Sequence, residues 1–204
     1  MAALTEDEER FYRLVRILLD DIPDQLRPMF KAKFQAFFRF TWGDNRMSGE
    51  FFVNNFNSSH MPGWHRPPQH ITDVIRLGDT EQFDPTTLFT CLLFSGTGIL
   101  VPTPRSKNAR SPPIEDSERL DELRVMRNMF AHAPSASVSQ TDFNQKLTLL
   151  NIIYAQLHWN PTLMRKWARD PFVTAECARL QQQLNAERQR YGALDGTVQA
   201  LAGM

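Results

Sequence analysis

Cysteine is scarce in this chain of 204 residues, which also lacks long apolar runs and an excess of one charge. Its two cysteines, Cys91 and Cys177, show no metal or disulfide spacing, so we expect reduced, buried or half-buried thiols and a cytoplasmic or nuclear location. No run approaches the roughly 18 apolar residues of a membrane span, and the acidic N-terminus is not a secretory signal. We therefore expect no membrane association.

The charges balance, with 23 basic and 23 acidic residues. This balance excludes a broadly basic coat for nucleic acid, so any contact with RNA must be local. The chain also has no phosphate-binding Walker loop, no glycine-rich dinucleotide fingerprint and no helical His-Glu pair for zinc. His60, His65 and His70 recur every five residues without thiolate or carboxylate neighbours, so we interpret them as surface histidines. Neither a metal nor a cofactor is expected.

What the chain has in abundance is apolar side chains, at 42% of residues, including 15 phenylalanines. Apolar residues recur at helical spacing along most of it, and no stretch alternates as a strand would. We predict an all-α fold, an up-and-down helical bundle of about five main helices with an additional C-terminal helical tail. The bundle is expected over residues 1–160 and the tail over residues 161–204.

Helix boundaries are indicated by capping residues, prolines and glycines. The clearest expected starts are Thr5 with Glu8, Asp84 with Pro85, and Ser139 or Thr141. Other helices are expected from about Gln25 towards Phe40 with Pro28 confined to the first turn, from Ile71 to Leu77, and around Leu163 to Trp167. The Asp84 helix is apolar nearly all round, so it should be buried centrally until Gly96 and Gly98 stop it. Residues 43–69 are expected to be the least regular part of the bundle.

The predicted tail helix begins near Thr174 and carries apolar residues on a three-four repeat, with Glu187 in the one polar slot. The apolar members are Cys177, Leu180, Leu184, Tyr191, Leu194, Val198 and Leu201. This pattern is typical of a short coiled-coil seam that could recruit a protein partner. It fits equally well a helix that packs back onto its own bundle.

The stretch from Leu120 to Pro134 contains the chain's most unusual charge. Arg127 shares the apolar stripe of an amphipathic helix, so its guanidinium needs an anion, a fork of carbonyls or a partner surface. Pro134 disfavours helix at the residue before it. His132 is therefore expected in or just after the last helical turn, where the helix dipole favours a cation.

Four residues, the first of them Asn128, separate Arg127 from His132. This arrangement, at the end of a helix in an all-helical domain, resembles the signature of the HEPN superfamily. That name stands for higher-eukaryote and prokaryote nucleotide-binding domain. Phe83-Asp84 followed by Leu88 is similar to one branch, found in a DAZ-interacting zinc-finger ubiquitin ligase and in fusions to immune-receptor ATPases. The resemblance covers roughly residues 1–160, and its specific part is short.

The resemblance implies binding of RNA and a metal-independent endoribonuclease in which the ribose 2′-OH attacks the neighbouring phosphate. His132 would transfer protons and Arg127 would hold the phosphate. Asn128 would orient one of them or cap the helix end. One chain supplies one such histidine, so the resemblance implies a homodimer that pairs two Arg127/His132 ends.

Other functions remain open beside cleavage. Arg105, Lys107 and Arg110, in a proline-rich loop before this helix, could contact phosphates together with Arg124, or the loop could be a solvated connector. A non-catalytic RNA-binding module would use the same site. A protein-interaction module would use the tail helix, with Arg127 as a structural tie to carbonyls or an acidic neighbour and His132 as a helix cap.

Overall fold

The structure is a computed structural model, and it describes residues 4–56, 66–100, 115–170, 172 and 174–202, with side chains in the last helix from residue 175 to residue 189. All regular structure in these residues is helical and none is strand, so the all-α prediction is confirmed. The α-helices are α1 (Glu6–Arg16), α2 (Ile22–Phe38), α3 (Arg46–Asn54), α4 (Gln69–Leu77), α5 (Pro85–Phe89), α6 (Asp116–Ala131), α7 (Gln140–Gln156), α8 (Thr162–Arg169) and α9 (Thr174–Ala202). None of the described helices has the length and hydropathy that crossing a membrane requires.

The chain divides into two compact units. Unit 1 consists of Met1–Asp21 with Val125–Met204, and unit 2 of Ile22–Arg124. The tail helix α9 belongs to unit 1 because Leu180 and Leu184 are fully buried there, as expected of a helix that packs on its own bundle.

The first helix begins as predicted, since Thr5 and Glu8 form a reciprocal capping box. The second helix begins at Ile22, three residues before the predicted start near Gln25, and no break separates it from the first helix. A π-helical turn, Ile17–Asp21, leads directly into α2, and Pro28 lies in the interior of α2 and not in its first turn. The wider turn ends two residues before Pro23, whose missing N–H disturbs regular α pairing.

Burial explains why α2 tolerates an interior proline. Leu26, Phe30 and Phe34 of α2 are fully buried. Burial of each such side chain contributes about 1.5–3 kcal/mol. The sum of the three contributions exceeds the cost of about 3 kcal/mol for one proline inside a helix.

Unit 2 is built around a cluster of aromatic rings. Phe30 lies at the middle of it, in contact with Phe34, Trp42, Phe52 and Phe83. The Trp42 indole Nε1 donates to the Gly78 carbonyl at 2.9 Å, which satisfies its one polar group inside the core.

Helix α3 was missed by the prediction of irregular structure over residues 43–69. Asn45 caps it by accepting from the Ser48 amide at 3.1 Å. Gly49 then allows α3 to approach α4 closely, because an added Cβ would meet the carbonyl oxygens of Ile75 and Arg76. The signal for this helix is tertiary packing, which local composition does not reveal.

The helix after Asp84 is central to unit 2, as predicted. Asp84 accepts from the Thr87 amide at 2.7 Å, with Pro85 at the first helical position. Helix α5 continues into a second π-helical turn, Thr90–Phe94, and the Cys91 thiol is fully buried there. Gly96 and Gly98 follow with φ of 66° and 84°, which glycine adopts without strain.

Unit 1 packs α1 and the π-helical turn after it against α7, α8 and α9. Tyr154 of α7 is buried, and its hydroxyl donates to the buried Asp21 carboxylate at 2.9 Å. Ser139 caps α7 by accepting from the Asp142 amide at 3.1 Å, which confirms the predicted start. Cys177 of α9 is half-buried, also as predicted.

Candidate functional site

Helix α6 ends at Ala131, and His132 is the first residue beyond it. The His132 amide still donates to the Asn128 carbonyl at 2.9 Å, and the Ala133 amide donates to Phe130 at 3.3 Å. The His132 side chain is exposed. The predicted position of His132 is therefore confirmed, and its imidazole is accessible to a ligand.

Arg127 lies deep inside unit 1, with only 1% of its surface exposed. Its Nη1 is 2.7 Å from Oε2 of Glu187 on α9, and Glu187 is itself 4% exposed. Of the three partners expected for this guanidinium, an anion, a fork of carbonyls or a partner surface, the structure shows an anion, and it comes from the chain's own tail helix. In this conformation Arg127 does not face solvent, so a phosphate in solution does not reach it.

The residue next to Glu187 also holds the end of α6. Arg188 Nε donates to the Ala131 carbonyl, and its Nη2 donates to the Ala133 carbonyl at 3.1 Å. These two carbonyls flank His132 in the chain. Ala131 lies among the last four residues of α6, whose carbonyls have no partner within the helix, so a forked donor satisfies an acceptor that water would otherwise fill. Asn128 is half-buried.

The loop after His132 is fastened to α1. The Val138 amide donates to the Asp7 carbonyl at 3.1 Å, and Arg10 Nε donates back to the Val138 carbonyl at 3.1 Å. A second nitrogen of Arg10 donates to Gln140 at 3.1 Å. Both backbone polar groups of Val138 are therefore paired with groups of α1, which holds an otherwise irregular segment in one conformation.

Between α1, this loop and the start of α7 lies a cavity of about 450 Å³, which we call the α6-end pocket. It is lined by Phe11, Met129, Phe130, Ala133, Pro134, Ser135, Ser137, Val138, Asp142 and Lys146. Phe11 and Phe130 contact each other with ring centroids 5.3 Å apart. Sites for small ligands are commonly apolar with a few polar groups, as here.

The polar part of the α6-end pocket contains a cation. Among the residues that the structure describes, none forms an ion pair or hydrogen bond with the Lys146 ammonium. The Asp142 carboxylate, by contrast, accepts from the Ser139 hydroxyl at 2.7 Å. Lys146 is therefore available to an anionic group that enters the pocket.

Of the remaining predicted site residues, the structure describes only Arg124. Arg105, Lys107 and Arg110 lie outside the described residues, as do His60 and His65. Arg124 pairs with Asp121 at 2.7 Å within unit 2, and its guanidinium lies over the Phe94 ring. His70 is exposed on α4, and the described residues contain no group of side chains suited to holding a metal.

Sequence reasoning missed two residues of this region, Lys146 and Arg188, because each is an ordinary polar residue of an amphipathic helix. Glu187 did leave a signal, as the polar member of an apolar repeat. A carboxylate in such a slot predicts a buried cation somewhere, and only the fold identifies that cation as Arg127.

Comparison with protein families, with characterised proteins and with solved structures yields no match.

Proposed function

We propose that this chain is an RNA-binding module whose ligand occupies the α6-end pocket beside His132. The observation that carries the proposal is the juxtaposition of a mainly apolar cavity of about 450 Å³ with the available Lys146 cation. His132 does not line the cavity itself, but it adjoins Ala133, which does. A base would enter the cavity, and its phosphate would lie at Lys146 and His132.

The lining chemistry supports a base as the occupant. Met129 is 46% exposed and, with Pro134, offers apolar surface above the buried rings of Phe11 and Phe130, on which the face of a base could lie. The hydroxyls of Ser135 and Ser137 can donate to or accept from a base edge. A local site of this kind also agrees with a chain of zero formal net charge.

In this proposal Arg127 has a different role from the one that the HEPN resemblance implies. It neutralises Glu187 and ties α6 to α9, and it does not contact phosphate. His132, the exposed member of the motif, provides the ligand contact, and Asn128 provides the carbonyl that accepts from the His132 amide.

A second candidate, metal-independent cleavage of the bound RNA, is favoured by the exposure of His132. The 2′-oxygen would attack phosphorus as the bond to the 5′-oxygen breaks, which leaves a cyclic phosphate and a free 5′-hydroxyl. One imidazole would take the 2′ proton, and His132 of a second copy would donate a proton to the leaving oxygen. Lys146 would then offset the charge on the phosphate oxygens.

Binding is tested by fluorescence anisotropy with a labelled single-stranded RNA. We expect Lys146→Ala to weaken binding and to make the slope of log K against log salt less negative by about 0.7, the value for one lost phosphate contact. Lys166→Ala is the matched control, because Lys166 is an exposed lysine on α8 of the same unit. Ser135→Trp should block binding by filling the cavity from an exposed position.

The histidine is tested with His132→Asn beside His158→Asn. His158 is also exposed and also follows a helix end, and asparagine tolerates its φ of 55°. Weaker binding in the first variant alone supports the proposed site. Equal affinities in all five proteins and the wild type would refute it, and absence of any RNA binding would favour the protein-interaction module.

Cleavage is tested by incubating the wild type and His132→Asn with end-labelled RNA in EDTA. Cyclic-phosphate ends from the wild type only would establish the second candidate. Bound but intact RNA would leave the chain as a binding module.

A further inference from the structure

Two adjacent residues of α9 contact α6 and the residues directly after it. Glu187 pairs with Arg127 inside unit 1, and Arg188 bridges the Ala131 and Ala133 carbonyls on either side of His132. We call Glu187 and Arg188 together the α9 clamp. Its partners lie on the segment that precedes and forms one wall of the α6-end pocket.

The clamp is available only when α9 is docked on unit 1. Docking buries Leu180 and Leu184 completely. It also makes polar ties to α1, since the Tyr12 hydroxyl donates to Gln181 at 2.8 Å and Arg16 pairs with Glu176 at 2.9 Å. The contacts of the clamp therefore form only when the tail helix is packed on the rest of unit 1.

We infer that the α9 clamp positions His132 and the Ala133–Pro134 wall, and so makes ligand binding in the α6-end pocket depend on docked α9. The inference takes the identity of the ligand from the proposed function. The positioning of His132 and the pocket wall by the α9 clamp does not depend on that function. Glu187 and Arg188 are positioning residues, which act through α6 and do not touch the ligand.

The physical reason is the cost of ordering the wall. Without Arg188 the carbonyls on both sides of His132 are free to turn towards water, and the wall then samples conformations that do not bind. Ligand affinity falls by the fraction of molecules in the binding conformation. A planar guanidinium can bridge two carbonyls at once, whereas an ammonium is a single point charge.

Thermodynamic linkage requires that the coupling between α9 docking and ligand binding act in both directions. If docked α9 favours the ligand, the ligand must favour docked α9 to the same degree. Saturating RNA should therefore slow hydrogen exchange along the described part of α9, and not only in the pocket.

The test compares Arg188→Ala with Arg179→Ala in the 204-residue chain. Arg179 is the matched control because it is also an arginine of α9 with two hydrogen bonds to one helical segment, donated to Asp20 at 3.0 and 2.6 Å. We expect Arg188→Ala to weaken RNA binding by about tenfold, within the usual range of coupling between sites, and to speed amide exchange over residues 131–138. Arg179→Ala should change neither by more than about twofold.

Arg188→Lys separates positioning from charge. It keeps the charge and most of the side-chain stem, so the fold is retained even if the alanine variant unfolds. We expect faster exchange over residues 131–138 and altered His132 imidazole resonances in the NMR spectrum, because one ammonium does not bridge both carbonyls.

The outcomes are distinguishable. Unchanged exchange and unchanged His132 resonances in Arg188→Lys, or equal effects of Arg188→Ala and Arg179→Ala, would overturn the clamp whether or not RNA binds. A wild type that binds no RNA, with exchange raised only in the Arg188 variants, would refute the proposed ligand and retain the clamp.

Discussion

The Arg127 guanidinium and the Glu187 carboxylate form an ion pair in which neither side chain is more than 5% exposed. A charge at such depth is tolerated only with its partner present, because desolvation of one ion alone is costly. The two residues are 60 positions apart in the chain, so their pairing ties the tail helix to α6.

Removing one partner should therefore destabilise the protein strongly. We expect Arg127→Met to lower the free energy of unfolding by about 3–5 kcal/mol, because it leaves the Glu187 carboxylate buried without this cation. The double variant Arg127→Met/Glu187→Met should recover most of that loss, since apolar side chains often replace a buried pair without penalty. Urea unfolding followed by circular dichroism measures both.

Arg179→Ala serves as the exposed control for this experiment. Its side chain is 44% exposed, so loss of the pair with Asp20 should cost only about 0–1 kcal/mol. A cost for Arg127→Met no larger than this would contradict the structural role of Arg127.

Gly49 should be among the least replaceable residues of unit 2. A Cβ there would meet the Ile75 carbonyl and would lie 2.6 Å from the Arg76 oxygen, so α3 and α4 would have to separate. We expect Gly49→Ala to cost about 1–3 kcal/mol or more, as overpacking does, despite the better helix propensity of alanine. Thermal unfolding measures this cost, and a variant as stable as the wild type would show that the two helices do not pack this closely.

Asp44 should contribute stability that depends on pH. Burial raises the pKa of this carboxyl, but the Lys31 ammonium and the Thr80 amide and hydroxyl outweigh it, and the pKa lies below its ordinary value of 3.8. A carboxyl with a lowered pKa stabilises the fold above its unfolded-state pKa and loses that contribution as the pH falls through the folded-state pKa. The stability gap between wild type and Asp44→Asn should thus be constant near neutral pH and shrink below about pH 4.

Urea unfolding at pH 7, 5 and 3 tests this prediction. Asp170→Asn is a suitable control, because Asp170 forms no ion pair among the described residues. A gap for Asp44→Asn that grows as the pH falls would contradict the sign of the argument.

The two thiols should differ in reactivity. Burial raises the pKa of Cys91 well above its ordinary value of 9.0, and this thiol is fully buried. Burial also raises the pKa of Cys177, which is only half-buried. Because the thiolate is the reactive form, we expect iodoacetamide at pH 8 to label Cys177 slowly and Cys91 only after unfolding in urea. Rapid native labelling of Cys91, located by mass spectrometry, would contradict its burial.

Local signals predicted much of the fold. The predictions of helix caps at Thr5, Asp84 and Ser139 were correct, as was that of the glycines after the central helix. Capping and left-handed turns depend on only a few neighbouring residues. The position of Pro28 in the interior of α2 and the existence of α3 were not predicted. Both depend on packing in unit 2, which outweighs local preference.

The same division applies to the candidate site. The sequence alone predicted His132 at a helix end, because helical periodicity and the following proline are local features. It also predicted that Arg127 needs a partner, because a buried cation without one is costly. Only the folded chain shows that this partner is Glu187 and that Arg188 holds the carbonyls beside His132. It also shows that Lys146 lies in a pocket with Phe11 and Phe130. Such contacts join residues far apart in the chain, and their geometry exists only once the helices have packed.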